Sequence, residues 1–269
     1  MTSLSANPDM IACVLWLSAL DSAQVERTQG HRAHGLFLEL MRRADPALAA
    51  ALHEQAPVKP FTVAPLQGRF RKLHPGSGYT LRITLLRSSL FPPFARTVLQ
   101  GKEMLLGEAR FALKEALVTP GSHPWAGIAT WAGLLEGARP VEELTLHFVT
   151  PTAFSLGVGD SGRKRVGLFP EPAAVFGSLL RRWNELSSTP LPADLLERVE
   201  MLPCRYDLHT ESLQFSKSLQ LGFIGRCSYE LHGAESDRRL IHALARSAFF
   251  LGVGYKTTQG MGLARIEES

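Results

Sequence analysis

The sequence predicts an α+β protein built from two tandem ferredoxin-like units, each in the order β-α-β-β-α-β. Three observations lead there. Through the first half, apolar residues switch between continuous runs and helical i, i+3, i+4, i+7 stripes in that order. The same order returns in the second half. A length of 269 residues with a 45% hydrophobic share is enough for two cores of ordinary size.

Residues 1–118 hold the first unit. Ile11 to Leu20 is apolar on both faces, which suits a central strand. A helix follows from about His31 to Ala44, with Ala33, Leu36, Phe37, Leu40, Met41 and Ala44 as its stripe. His34 falls at the margin of that stripe and His31 points away into solvent. Asp45 and Pro46 restart the chain as N-cap and first helical residue of a short helix, Ala47 to His53. Phe61 to Phe70 and Tyr79 to Arg87 are strands around the turn His74-Pro-Gly-Ser-Gly78. Pro93 begins a helical stretch to about Gly101, and Glu108 to Val118 closes the unit. Residues 119–140, with Trp125 and Trp131, are the connector, whose apolar character makes it a candidate homodimer surface.

Residues 141–269 repeat the order. Val141 to Thr150, Val199 to Leu208 and a segment within Phe215 to Leu231 are strands, the last with a bulge at Gly222-Phe-Ile-Gly225. Pro172 to Leu186 and Asp237 to Phe250 are helices, and Leu263 to Glu267 is the final strand. The Gly157 to Gly167 loop carries Arg163, Lys164 and Arg165, and the following helix carries Arg181 and Arg182. Either cluster can hold an RNA backbone or form a solvated face.

Charge and cysteine usage narrow the class. Lys and Arg outnumber Asp and Glu by 29 to 25, a mild excess that fits a polyanion partner without proving one. Cys13, Cys204 and Cys227 are odd in number, far apart and set among apolar neighbours, which favours reduced thiols in the cytoplasm over a disulfide framework or zinc site. The apolar run Met10 to Leu17 is too short to span a bilayer, so no membrane partner is expected.

The stretch Gly252-Val-Gly-Tyr-Lys-Thr-Thr-Gln-Gly-Met-Gly262 is the densest motif. Its glycines tolerate positive φ and close backbone approach, so the loop can turn N–H groups toward an anion. Lys256 adds a charge, and Tyr255, Thr257, Thr258 and Gln259 add polar side chains. A dinucleotide fingerprint or P-loop needs strand, loop, helix; here a helix precedes and a short strand follows.

The loop, following a helix that ends Ala248-Phe-Phe250, resembles that of the CRISPR-associated RAMP superfamily, and within it the endoribonucleases that cut CRISPR precursor RNA at its repeats. Phe148-Val-Thr-Pro-Thr-Ala-Phe154, Leu168-Phe-Pro-Glu-Pro172, Phe176-Gly-Ser-Leu-Leu-Arg-Arg-Trp-Asn184, Gly222-Phe-Ile-Gly-Arg226 and His123-Pro-Trp-Ala-Gly127 resemble further stretches of these proteins. Ala47-Leu-Ala-Ala-Ala-Leu-His-Glu54 followed by Val58-Lys-Pro-Phe-Thr62 is similar to their Leu-His-Glu segment and downstream lysine.

The resemblance implies a metal-independent endoribonuclease with no cofactor, RNA as substrate, and no action on DNA. It implies His53 as general acid or base, Lys59 as charge stabiliser and His34 as partner, with the glycine loop gripping the repeat. A histidine at a helix end titrates near neutrality and suits proton transfer, but equally serves as a surface residue. His34 likewise reads as catalytic, as an edge of the core, or as an RNA contact. A non-cleaving RAMP subunit that binds guide RNA beside other effector subunits is the alternative function.

Overall fold

The computed structural model of the protein describes residues 7–23, 30–54, 56–67, 72–101, 103–159, 162, 164–215 and 218–267. The chain divides into two units. The first comprises Met1–Thr130, Gln214–Ser218 and Thr258–Gly260; the second comprises Trp131–Leu213, Leu219–Thr257 and Met261–Ser269.

In the first unit, β1 (Met10–Ala19) is the central strand that its apolar run predicts, with antiparallel neighbours on both sides. Helix α1 (Gly30–Ala44) buries Ala33, Leu36, Phe37, Leu40 and Met41, the stripe read from the sequence. Helix α2 (Pro46–His53) starts with Asp45 as cap, its Oδ1 accepting from the Leu48 N–H at 3.0 Å. The remaining elements are β2 (Phe61–Val63), β3 (Gly78–Leu85), α3 (Phe91–Gln100), β4 (Glu103–Leu106), β5 (Ala109–Leu117) and β6 (Gly127–Ala129). The sheet runs β2-β3-β1-β5-β4, with β6 also on β1.

Phe37 and Phe61 are fully buried with rings 4.3 Å apart. Each contributes about 2–3 kcal/mol by leaving water. This contact locks α1 onto β2 and so fixes the ground beneath the candidate catalytic groups.

Helix α4 (Trp131–Glu136) opens the second unit, followed by β7 (Glu143–Thr152), β8 (Phe154–Val158), β9 (Lys164–Gly167), α5 (Pro172–Leu186), β10 (Glu200–Phe215), β11 (Ser218–His232), α6 (Glu235–Leu251) and β12 (Ala264–Glu267). Its four-stranded sheet runs β10-β11-β7-β12. In both units the opening strand sits between the third and fourth strands of the β-α-β-β-α-β series. That is the strand order of a ferredoxin-like fold, so the expected fold class is what the chain adopts. The predicted bulge is present as a register shift between Phe223 and Gly225 against β7.

Several boundaries differ from expectation. The Phe61 to Phe70 strand stops at Val63, Gln67 making only a bridge to Thr80, and 68–71 lie outside the described residues. A β4–β5 hairpin turns at Gly107 (φ +66), with Met104 and Leu106 inward and Glu103 and Leu105 outward. The Gly157 to Gly167 loop is largely the β8–β9 hairpin, and the Val199 to Leu208 strand continues to Phe215. The connector supplies β6 and α4. Its Trp131 is buried against Trp183 (ring centroids 4.9 Å), so it adds nothing to an outer apolar surface for a dimer. The three cysteines are free thiols. Among the described residues no helix is long and apolar enough to cross a membrane.

Candidate active site and glycine-rich loop

His34, His53 and Lys59 come together in the first unit. His34 projects from α1, half-buried, with its ring 5.6 Å from that of Phe61. Its Nδ1 lies 2.8 Å from the Thr258 carbonyl oxygen. A carbonyl only accepts, so Nδ1 carries the hydrogen and the lone pair of the neutral ring is on Nε2. Burial holds the His34 pKa below the ordinary histidine value; the Thr258 carbonyl opposes this, and the charges of His53 and Lys59 push the same way as burial. His34 is therefore a neutral imidazole at pH 7, with an acceptor nitrogen.

His53 is the last residue of α2 and is exposed. Lys59 is expected as a charge stabiliser, and the structure adds a second role. Its ammonium donates to the Leu52 carbonyl at 2.8 Å and also to the Glu54 carbonyl. It closes the carbonyl end of α2, satisfying acceptors that have no partner within the helix, and thereby fixes the turn that carries His53. An ammonium has a third N–H to offer.

His31 is not solvated as expected. It is half-buried, its ring 6.2 Å from that of Phe215, and its Nδ1 is enclosed with no hydrogen-bond partner among the described residues.

The glycine loop is organised differently from the expected anion cradle. The Gly252 N–H donates to Ala248 O at 3.0 Å, Gly254 N–H to Ser178 Oγ at 3.1 Å and Gly262 N–H to Pro151 O at 3.1 Å. Val253 and Tyr255 likewise donate to Gly262 O and Ala153 O. Gly252, Gly254 and Gly262 are buried, as is Thr257, whose methyl lies against the glycines. At Gly254 (φ +77) a Cβ would meet the Ala153 oxygen at 2.4 Å, so only glycine fits there. These glycines fold the loop; they do not present N–H groups to a ligand.

Arg182 needs the same correction. Expected to hold RNA, it is buried and its guanidinium donates to the Gly252 carbonyl at 2.9 Å and to the Gly254 carbonyl. Burial, with a smaller push from Arg181, lowers its pKa to about 10. Arg181 next to it is exposed.

What the loop does present is side chains. Tyr255, Lys256, Thr258 and Gln259 are half-buried, while Gly260 is buried. The Tyr255 hydroxyl donates to Gln220 Oε1 at 2.8 Å, and Lys256 Nζ stands 5.6 Å from the Tyr255 ring centre. Lys256 holds a left-handed φ of +56, unusual for a residue with a Cβ and costing about 1–2 kcal/mol. Burial first, and then the charge of Lys164 on β9, lower the Lys256 pKa. Lys164 and Arg165 are exposed, and Arg163 lies outside the described residues. Two ammonium groups held this close favour an anion beside them.

Sequence reasoning missed Gly30, Ser178 and Phe61 as supports of the site. Only Gly30, four residues before His34 and so on the same face of α1, left a visible signal.

Two ferredoxin-like units, the second with a glycine-rich loop between its last helix and last strand, define the RAMP class. The chain belongs to the Cas6 family of CRISPR-associated endoribonucleases. The family model described as CRISPR-associated endoribonuclease Cas6 matches residues 146–264, and that of the CRISPR Cas6 N-terminal domain matches 11–136. Among solved structures, a Cas6 (TTHB231) product complex is 34% identical with a TM-score of 0.84, covering 96% of this chain and 100% of its own. Thermus thermophilus Cas6 (TTHB231) by itself is 32% identical, TM-score 0.75, covering 98% and 100%. A Cas6 (TTHA0078) product complex is 29% identical, TM-score 0.77, covering 96% and 99%. No curated protein matches.

Proposed function

We propose that this chain cuts CRISPR precursor RNA within its repeats, without a metal, to release guide RNAs for antiviral defence. The observation that carries the reading is His34, neutral with Nε2 as its acceptor, within electrostatic reach of His53 and Lys59. Those are the groups that cleavage by an internal nucleophile requires. His34 Nε2 takes the proton of the ribose 2′-hydroxyl as O2′ attacks the adjacent phosphorus. The P–O5′ bond breaks as His53 gives a proton to O5′, leaving a 2′,3′-cyclic phosphate and a 5′-hydroxyl. His53 is open to solvent and regains its proton there. Lys59 supplies positive charge for the phosphorane, and in the second unit Lys256 and Lys164 offer charge to flanking phosphates. DNA has no 2′-hydroxyl and is not a substrate.

The Cas6 (TTHB231) and Cas6 (TTHA0078) product complexes support repeat RNA as the ligand class. Incubating the purified protein with repeat RNA in EDTA tests the reading. Specific cuts ending in a cyclic phosphate, absent when the cut-site ribose is 2′-deoxy, are expected. Binding without cleavage would instead indicate a subunit that only holds guide RNA.

A further inference from the structure

Gly30 and His34 share one face of α1, and the apex of the glycine loop, Thr258–Gly260, rests on that face within the first unit. The approach is backbone to backbone. A Cβ on Gly30 would lie 2.0 Å from the Gln259 oxygen and 2.9 Å from Gly260 Cα. From the other side, a Cβ on Gly260 (φ +94) would lie 2.8 Å from Gly30 Cα and 3.4 Å from Pro65 Cδ. One helical turn along, the Thr258 carbonyl meets His34 Nδ1 at 2.8 Å. Nothing but a glycine at 30 lets the apex sit low enough for that bond.

We infer that the loop apex is a positioning element for the base: the Gly30–Gly260 contact seats the Thr258 carbonyl on His34 and so fixes the ring orientation and tautomer that leave Nε2 facing the substrate. The inference rests on the proposed role of His34 in cleavage. It makes the loop apex part of the catalytic apparatus.

The test is Gly30→Ala. Alanine favours helix over glycine, so α1 itself is strengthened. A Cβ essentially never approaches another heavy atom closer than 3.0 Å, so the added methyl, 2.0 Å from the Gln259 oxygen, displaces the apex. A shift of roughly 1 Å at the Thr258 carbonyl is expected to lower the single-turnover rate by about 10²-fold. Rates are taken at saturating repeat RNA, so weaker binding by the displaced apex, read separately with 2′-deoxy RNA, does not enter them. The acid limb of the pH–rate profile should move to lower pH, because the carbonyl's upward pull on the His34 pKa is lost.

Nitrogen-15 NMR of the His34 ring gives a readout independent of cleavage: hydrogen on Nδ1 in the parent protein, a mixture of tautomers in the variant. Gly260→Ala acts on the same contact, so the double variant should be little slower than either single one. A Gly30→Ala protein that cuts at the parent rate with the same pH profile overturns the inference, as does a His34 tautomer that does not change. If the parent protein fails to cut repeat RNA the proposed function falls, while the tautomer measurement still decides this coupling.

Discussion

Burial keeps His34 neutral near pH 7, and in the proposed mechanism that determines how the cleavage rate responds to acid. A base works only unprotonated, and its folded pKa lies below the ordinary value of about 6.5. The acid limb of the pH–rate profile, which reports the base, should therefore lie below about pH 6.5, the rate falling by about tenfold per unit once His34 is mostly protonated. Single-turnover rates between pH 4.5 and 8 check this. His34→Ala and His53→Ala should each lower the rate by about 10²–10⁴-fold while 2′-deoxy repeat RNA still binds. A wild-type rate in either variant removes that residue from the mechanism. Both histidines were legible in the sequence, His53 from its motif and His34 from its place on the wheel. The enclosure of His31 was not, because the ring beside it, Phe215, is 184 positions away.

At the scale of the element, α5 carries two adjacent arginines with opposite fates. In the sequence Arg181 and Arg182 form one basic pair; a helix turns about 100° per residue, so one faces water and the other the interior. Period reading located the helix but not the carbonyls that need a donor, since Gly252 and Gly254 lie some 70 residues on and their oxygens leave no mark in a sequence. Arg182→Ala should destabilise the protein by about 2–4 kcal/mol, read from urea unfolding, because two charge-assisted bonds go and two buried carbonyls lose their donor. Arg181→Ala should change stability by less than about 0.5 kcal/mol. If Arg181 contacts a phosphate, the same change reduces the salt slope of RNA binding by about 1. The β4–β5 hairpin was not legible: Glu103-Met-Leu-Leu has three apolar residues in a row, so the sequence shows no alternation, and burial alternates only in the fold.

For the molecule as a whole, the two β-α-β-β-α-β series were readable, because each unit's periodicities are strong, whereas the short β4, β6, α4, β8 and β9 between their members were not. The composition of each unit was not readable. Gln214–Ser218 and Thr258–Gly260 belong with the first unit although the chain on either side of them belongs with the second. A fragment ending at Thr130 lacks the Thr258 carbonyl, so its His34 should lose the preference for hydrogen on Nδ1 that the full chain shows by NMR. Lys256→Ala and Lys164→Ala should each reduce the salt slope of repeat binding by about 1, since each removes one cation near the bound strand. The inward N–H groups of Gly252, Gly254 and Gly262 carry a consequence for divergence. A frame so committed to its own fold tolerates few changes, whereas Tyr255, Lys256, Thr258 and Gln259 sit on top of it like interchangeable type. Retuning this protein toward a different repeat should thus be achieved by swapping those four letters, with the glycine scaffold left untouched.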